Sequence, residues 1–466
     1  MMSDCAFLRP AHDINCKDTV DKQVYIAFCI GMMFNLASIF IGNPYIISLL
    51  AIPIAAVMTF RWLNNPLPWV VLVSVFAANP VNLDAPISLN LYFAIFLLVL
   101  KMQYLDRLPS WIYLSLLTAL ISIIGSIINW SATSDLSTQI AAIINYILGP
   151  FFLIPLIYFR LQSVHDSDSL IKGIVLSLII PSISYMLLAH FFGDPTIDKN
   201  SAFEDFINVN TYHLGNVDIN LIRTQAGIPL AVFICSSFSI ILCAVSNRIR
   251  QIAAIFLILT IFLLLVTGSV GSSLAALCGI MLLLYIARRY MSLKRYVMIL
   301  PIAIVFALVG WSQLPQEIKD YAGSRYEERF SGTGVDTSDR SERWLLSLEY
   351  LLKNPEGRGW DLYVAPIGVY PHNEYLSYGI AFGIICSFIY LVVPAKILFF
   401  LLNIKIHSNN PAQLAILLAG IGAITVFLIN SFTDHLSANR WYFNVVWSII
   451  WYCYFTVRVN SKSYGN

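Results

Sequence analysis

The chain has 466 residues, of which 58% are hydrophobic and 12% charged, with 28 Lys and Arg set against 26 Asp and Glu. A soluble domain carries roughly 25% charged residues, so a water-soluble fold is excluded, and a net charge of +2 leaves no electrostatic footprint for nucleic acid. A mean hydropathy of +0.74 calls for the bilayer as solvent, where segments of about 20 apolar residues cross with their backbone bonds satisfied internally.

Residues 1–22 are polar and lack a basic region followed by a short apolar core, so they read as a cytoplasmic N-terminal tail and not as a cleaved leader. Apolar runs then follow at 23–41, 45–62, 66–80, 86–101, 110–129, 139–160, 170–192, 225–246, 250–267, 271–288, 296–312, 375–402, 412–432 and 440–457. The expected fold is therefore an all-α polytopic membrane protein with about 12–14 transmembrane helices. Pro44, Pro53, Pro150, Pro155, Pro181 and Pro394 fall in or beside these runs and mark kinks.

Lys and Arg are retained on the cytoplasmic side of a membrane. With the N-terminus inside, Arg61, Lys101, Arg107, Arg160, Lys172, Arg248, Arg250, Arg288, Arg289, Lys294, Arg295, Lys396 and Lys405 all fall on inner loops. The short outer loops hold Asp84 and Asp135 with no Lys or Arg. This divides the chain into a helix bundle over 23–312 with an outer loop near 193–224, a large outer loop over 313–374, C-terminal helices over 375–457 and a cytoplasmic tail at 458–466. The Arg288, Arg289, Lys294, Arg295 group reads as a topology signal and a contact for anionic lipid.

Charge gathers in the large loop, where Arg325, Arg329, Arg340, Arg343 and Arg358 stand among Glu327, Glu328, Asp336, Asp339 and Glu342, with His372 just before the next apolar run. Arginines and a histidine beside a bilayer suit an anionic, lipid-borne substrate, because guanidinium is always charged and pairs bidentately with phosphate oxygens. Within the loop an amphipathic helix is expected from Asp339, capped by Asp339 with Glu342, bearing a stripe of Trp344, Leu345, Leu348, Leu351 and Leu352 flanked by Arg340, Arg343 and Ser347, and stopped by Asn354-Pro355. Asn373 and Glu374 suit a helix start, and His213 and His435 a surface. Arg440, Trp441 and Tyr442 suit an interfacial anchor and aromatic belt, while Tyr321, Tyr326, Trp360 and Tyr370 are available to stack on sugars. No P-loop, dinucleotide fingerprint or metal-ligand spacing occurs, which argues against an ATP-driven pump, and the eight cysteines show no CxxC pair.

The runs RSERW (Arg340 to Trp344), LKNPEGRGW (Leu352 to Trp360) and PHNEYLSYGIAFGIICSFIYL (Pro371 to Leu391) together resemble the signature region of the O-antigen ligase and O-antigen polymerase superfamily. Upstream, TGSVGSSLAALCGI (Thr267 to Ile280) is similar to a family span start but has Val270 where that pattern has arginine; Arg223 or Arg325 could supply the contact. The resemblance implies a multispan, lipid-linked-sugar glycosyltransferase of GT-C-like architecture in the bacterial inner membrane, with its large loop periplasmic and with no metal or nucleotide cofactor. It implies an undecaprenyl-pyrophosphate-linked glycan as donor, a polysaccharide or lipid A core as acceptor, contact with membrane lipids, a chain-length regulator as partner, and a place in lipopolysaccharide or polysaccharide biosynthesis. His372, Arg340 and Arg343 are then the catalytic candidates, and Arg223, Arg325, Arg329 and Asn373 the substrate-binding ones. Imidazole titrates near neutral pH and suits a general base for an acceptor hydroxyl. Repeat-unit polymerase is the leading expectation, O-antigen ligase the alternative. A lipid-linked oligosaccharide flippase comes last, because a flippase needs charges within its spans and here they sit at the span ends.

Overall fold

The computed structural model describes residues 14–83, 85–100, 108–128, 135–164, 166–192, 209–214, 217–243, 246–290, 299–314, 337–360, 371–404, 410–433 and 440–462, with isolated positions between 316 and 327. At 14–21, 83, 128, 167, 189–192, 209–214, 217–225, 299–300, 303, 307, 337–339 and 459–462 it describes the backbone alone. Helices α1 (Ile14–Ile41), α2 (Pro44–Trp62), α3 (Pro66–Ala77), α4 (Leu89–Leu100) and α5 (Ser110–Ile128) are followed by α6 (Leu136–Ala142) and α7 (Ile154–Phe159), which a π-helical stretch, Ile143–Leu153, joins. A second such stretch, Val175–Ile179, joins α8 (Ser167–Ile174) to α9 (Ile180–Phe192). A two-stranded antiparallel hairpin, β1 (Val209–Leu214) with β2 (Val217–Ile222), precedes α10 (Arg223–Cys243), α11 (Asn247–Thr267), α12 (Val270–Ala287) and α13 (Ile299–Ser312). The remaining helices are α14 (Thr337–Lys353), α15 (Glu374–Phe382), α16 (Ile384–Asn403), α17 (Pro411–Ser431) and α18 (Arg440–Lys462).

This is an all-α multi-pass membrane protein with one small hairpin. Each expected apolar run falls on a helix, and among the described residues ten helices are long and apolar enough to cross a bilayer. α3 and α4 have 12 residues each, about 18 Å of helix against a hydrocarbon core of about 30 Å. The run 375–402 departs from expectation, because it is two helices, α15 and α16, divided at Gly383 where φ is +95°. The π-helical stretches adjoin prolines: Pro150 lies inside the first, Pro155 just after it and Pro181 just after the second. A π-turn widens the helix where proline removes an amide donor, and the Trp451 indole donates to the Pro150 carbonyl at 2.7 Å.

α10 is the axis of the C-terminal half: every residue of its apolar 18-residue window is buried. It packs on α11, α12 and α17. Around Cys235 of α10 the approach is close enough that a Cβ on Gly279 of α12 would lie 2.6 Å from the Cys235 sulfur, and one on Gly422 of α17 would lie 2.6 Å from its Cβ. α18 fills the other side with Trp441, Trp447 and Trp451, all fully buried. Trp441 and Tyr442 are thus core residues at 0% exposure and not an interfacial belt, and Tyr185 meets Trp441 edge to face at 6.2 Å. Near the start of α18, Asn444 donates to Ser88 at 2.7 Å and Ser88 to Asn145 at 2.9 Å, which ties α18, α4 and the first π-helical stretch together.

Candidate active site at one end of the bundle

α14 starts at Thr337, two residues before the expected cap at Asp339. Successive residues of a helix turn by about 100°, so 340, 344, 347 and 351 share a face. That face is turned inward: Arg340, Arg343 and Trp344 are half-buried, Ser347 is 0% exposed and Leu351 2%. Leu345, Leu348 and Leu352, at 67%, 43% and 65% exposure, lie on an adjoining, outward face, with Leu346, 44% exposed, beyond it. The single apolar stripe expected from the sequence is therefore two surfaces, an inner one carrying the arginines and an outer one carrying the leucines. Three leucines exposed on one face are a liability in water but suit a helix lying against acyl chains.

After α14 the chain turns through Pro355, Glu356, Gly357, Arg358 and Gly359 and locks into the break between α15 and α16. Arg358 N donates to Ile380 O at 2.9 Å, Gly359 N to Ala381 O at 2.8 Å and Ile384 N to Pro355 O at 2.8 Å. Ser122 of α5 donates to the Phe382 carbonyl at 2.8 Å, and Ser126 to the Glu356 carbonyl. Gly357 has φ +81°, and a Cβ there would stand 2.4 Å from Gly383 N, so neither glycine tolerates a side chain. Trp360 closes the turn against the bundle: its ring stacks on Tyr146 at 4.1 Å and on Phe382 at 5.5 Å, and its amide donates to Gln139. The Trp360 ring therefore packs within the protein.

His372 is the one non-glycine residue with positive φ among those described, at +50°. Strain of this kind costs on the order of 1–3 kcal/mol and persists where the surroundings hold it. What holds it follows directly: Asn373 caps α15, accepting from Leu376 N at 3.1 Å, and its amide donates to Phe432 O at 3.4 Å. Ser377 donates to the Asn373 carbonyl at 2.9 Å. Asn373 and Glu374 occupy the helix start expected of them, yet Glu374 is also 0% exposed, a carboxyl enclosed near the rings of Tyr146, Tyr375 and Tyr378.

Arg340 Nη1 donates to the Thr433 carbonyl at 3.1 Å. Thr433 follows the Phe432 that accepts from Asn373, so two consecutive carbonyls at the end of α17 join the arginine helix to the histidine helix. The start of α12 meets the same turn: Ser269 donates to Ser272 at 3.0 Å, Ser272 to Asn430 at 3.1 Å, and a Cβ on Gly271 would lie 3.1 Å from the Thr433 hydroxyl. Val270, where the resemblance leads to an expectation of arginine, immediately precedes this Gly271 in the first turn of α12. Arg223 is the first residue of α10, one turn before Gly227, whose Cβ position is 2.7 Å from Ser269. The first turns of α10, α12 and α15 meet around this turn, and helix N-termini carry about half a positive charge each. Two inward arginines set among such termini make a corner suited to a diphosphate.

Arg343 shares the inner face with Arg340. Arg325, Arg329, Tyr321, Tyr326, Tyr370 and His435 lie outside the described residues, and His213 is in β1, in register with Asp218. Arg440 donates to the Tyr146 hydroxyl at 3.3 Å and to the Ala85 carbonyl. The carbonyls of Phe432 and Thr433 and the hydroxyls of Ser269 and Ser272 were not foreseen: main-chain acceptors carry no mark in a sequence, and isolated serines at a span start have many uses. Among the described residues no group of His, Cys, Asp and Glu could hold a metal ion.

Residues 252–391 match a family model described as O-Antigen ligase. The match takes in most of α11, all of α12 to α15 and the start of α16. No curated protein matches the chain.

Proposed function

We propose that this chain, which residues 252–391 assign to the O-antigen ligase and polymerase superfamily of glycosyl-transferring enzymes, polymerises undecaprenyl-pyrophosphate-linked repeat units on the periplasmic face of the bacterial inner membrane. The observation that carries this reading is the pair of consecutive carbonyls, Phe432 and Thr433, by which Asn373 and Arg340 bring the histidine and the arginines to one corner. In the proposed reaction the acceptor hydroxyl attacks the anomeric carbon of the donor glycan, the bond from that carbon to the pyrophosphate oxygen breaks, and undecaprenyl pyrophosphate departs with the bonding electrons. Arg340 and Arg343, with Arg223, Arg325 and Arg329 as further contacts, take up the charge that grows on the leaving group, the kind of stabilisation that often dominates catalysis. His372 accepts the hydroxyl proton, while Asn373 holds the backbone that aims it. The chemistry needs no metal, because the pyrophosphate is already a good leaving group. A chain-length regulator would act on the same polymer from outside the corner.

The match to a family described as O-Antigen ligase favours a second reading with the same donor and a lipid A core acceptor. The surface-polysaccharide profile of a deletion strain decides between them. Core capped by a single repeat unit supports the polymerase; bare core with lipid-linked polymer accumulating supports the ligase. If plasmid-borne Arg340→Ala and His372→Ala, expressed at the wild-type level, both restore a normal profile, the assignment of this corner is wrong under either reading.

A further inference from the structure

At the end of α12 opposite the arginine corner, about 27 Å away along its 18 residues, a groove of about 290 Å³ opens between α12, α16 and α17. Its floor is Ile286, Leu401, Leu417 and Ile421, each at most 7% exposed. Leu402 and Tyr285, 44% and 48% exposed, stand at the edge, and Arg289 at the mouth. Among the described residues no acidic side chain lines it. The volume is close to the lower limit of small-molecule sites, roughly 300 Å³; six of the lining residues are leucine or isoleucine, with Tyr285, Tyr290 and Arg289 supplying the polar groups, a lining that suits a hydrocarbon chain beneath a charged head.

The mouth carries the opposite character. The guanidinium carbon of Arg288 lies 4.0 Å from the centre of the Tyr285 ring and that of Arg289 5.5 Å from it. Both guanidiniums gather at the ring and hydroxyl of Tyr285, and with five N–H donors each they have further donors for a phosphate. The favourable position of arginines at a helix C-terminus accounts for their presence, but not for an apolar groove directly beneath two cations. We infer that this groove is a binding site for an anionic glycerophospholipid, with one acyl chain between α12, α16 and α17 and the headgroup phosphate on Arg288 and Arg289. The site is separate from the catalytic corner and from the donor lipid.

The test is native mass spectrometry of the full purified chain released from micelles doped with phosphatidylglycerol, phosphatidylcholine or undecaprenyl phosphate. Wild type should keep phosphatidylglycerol over phosphatidylcholine by about tenfold, the ratio that about 1.4 kcal/mol corresponds to. Arg288→Gln with Arg289→Gln should bring that ratio close to one, while Leu402→Trp, placed at the exposed edge so that folding is spared, should lower the occupancy of both lipids. An unchanged ratio in the double variant, or unchanged occupancy in Leu402→Trp, overturns the proposal. Tighter retention of undecaprenyl phosphate than of phosphatidylglycerol also overturns it and makes the groove a carrier-lipid site.

Discussion

The core around α10 and the corner formed by α14 and α15 are built on opposite principles. α10 is enclosed on all sides, and the residues against Cys235 approach so closely that glycine is required on both neighbours. The corner is held by a few hydrogen bonds to main-chain carbonyls, with half-buried arginines, a strained histidine and three exposed leucines. Close packing supplies a rigid frame and makes any change in volume costly; polar contacts to a frame place charge with little packing of their own. The family-matched segment, 252–391, carries the arginines of α14 and the histidine, whereas the carbonyls that collect them, Phe432 and Thr433, lie outside it. On the proposed reading the chemistry belongs to one part of the chain and its platform to another.

Perturbing each region should therefore break a different property. The largest effects are expected in the corner: Arg340→Ala should lower polymer formation in a reconstituted donor assay by about 10²–10³-fold with little change in apparent Tm; Arg340→Lys should recover little of it, since lysine lacks the planar fork. His372→Gly should cost about 10²–10⁴-fold in rate and yet hold or raise the apparent Tm, because glycine relieves the strain at φ +50°; a fall in Tm would show the imidazole to be structural. In the core the pattern reverses. Gly422→Val, which overpacks Cys235, should destabilise by about 1–3 kcal/mol or more and leave the specific activity of the folded fraction unchanged. Ser272→Ala, removing one bond to Asn430, should cost about 1 kcal/mol. Last, Lys353→Ala, which deletes an exposed pair with Glu349, should leave both Tm and rate unaltered.

The apolar runs were legible because hydrocarbon-crossing helices need length and little else, and so was the helical character of α14. Which face of α14 turns inward was not. Its orientation is set by the Thr433 carbonyl, 93 residues away, and no local pattern records that. The division at Gly383 was hidden for a similar reason: Gly379 and Gly383 both sit in an apolar run, and only docking of the Pro355 to Gly359 turn singles out the second. Trp441 and Tyr442 misled because aromatic residues near a helix start serve a bilayer interface and a packed core equally well. The hairpin had a readable sign, the alternation in VNTYHL and VDINLI on either side of Gly215-Asn216. It passed unnoticed inside a loop that composition marked as polar.

The outer face of α14 gives the corner a dependence on the membrane itself. A helix that rests on lipid through Leu345, Leu348 and Leu352 behaves as a float, so the height of its two arginines follows the waterline of the bilayer as well as the rigid bundle behind it. Thinning or thickening the hydrocarbon layer shifts that waterline against the fixed carbonyl of Thr433, at a cost of fractions of a kcal/mol per ångström. Under the proposed function, turnover in vesicles should accordingly pass through a maximum as acyl-chain length is varied, and a cell that remodels its fatty acids would retune the activity without touching the gene.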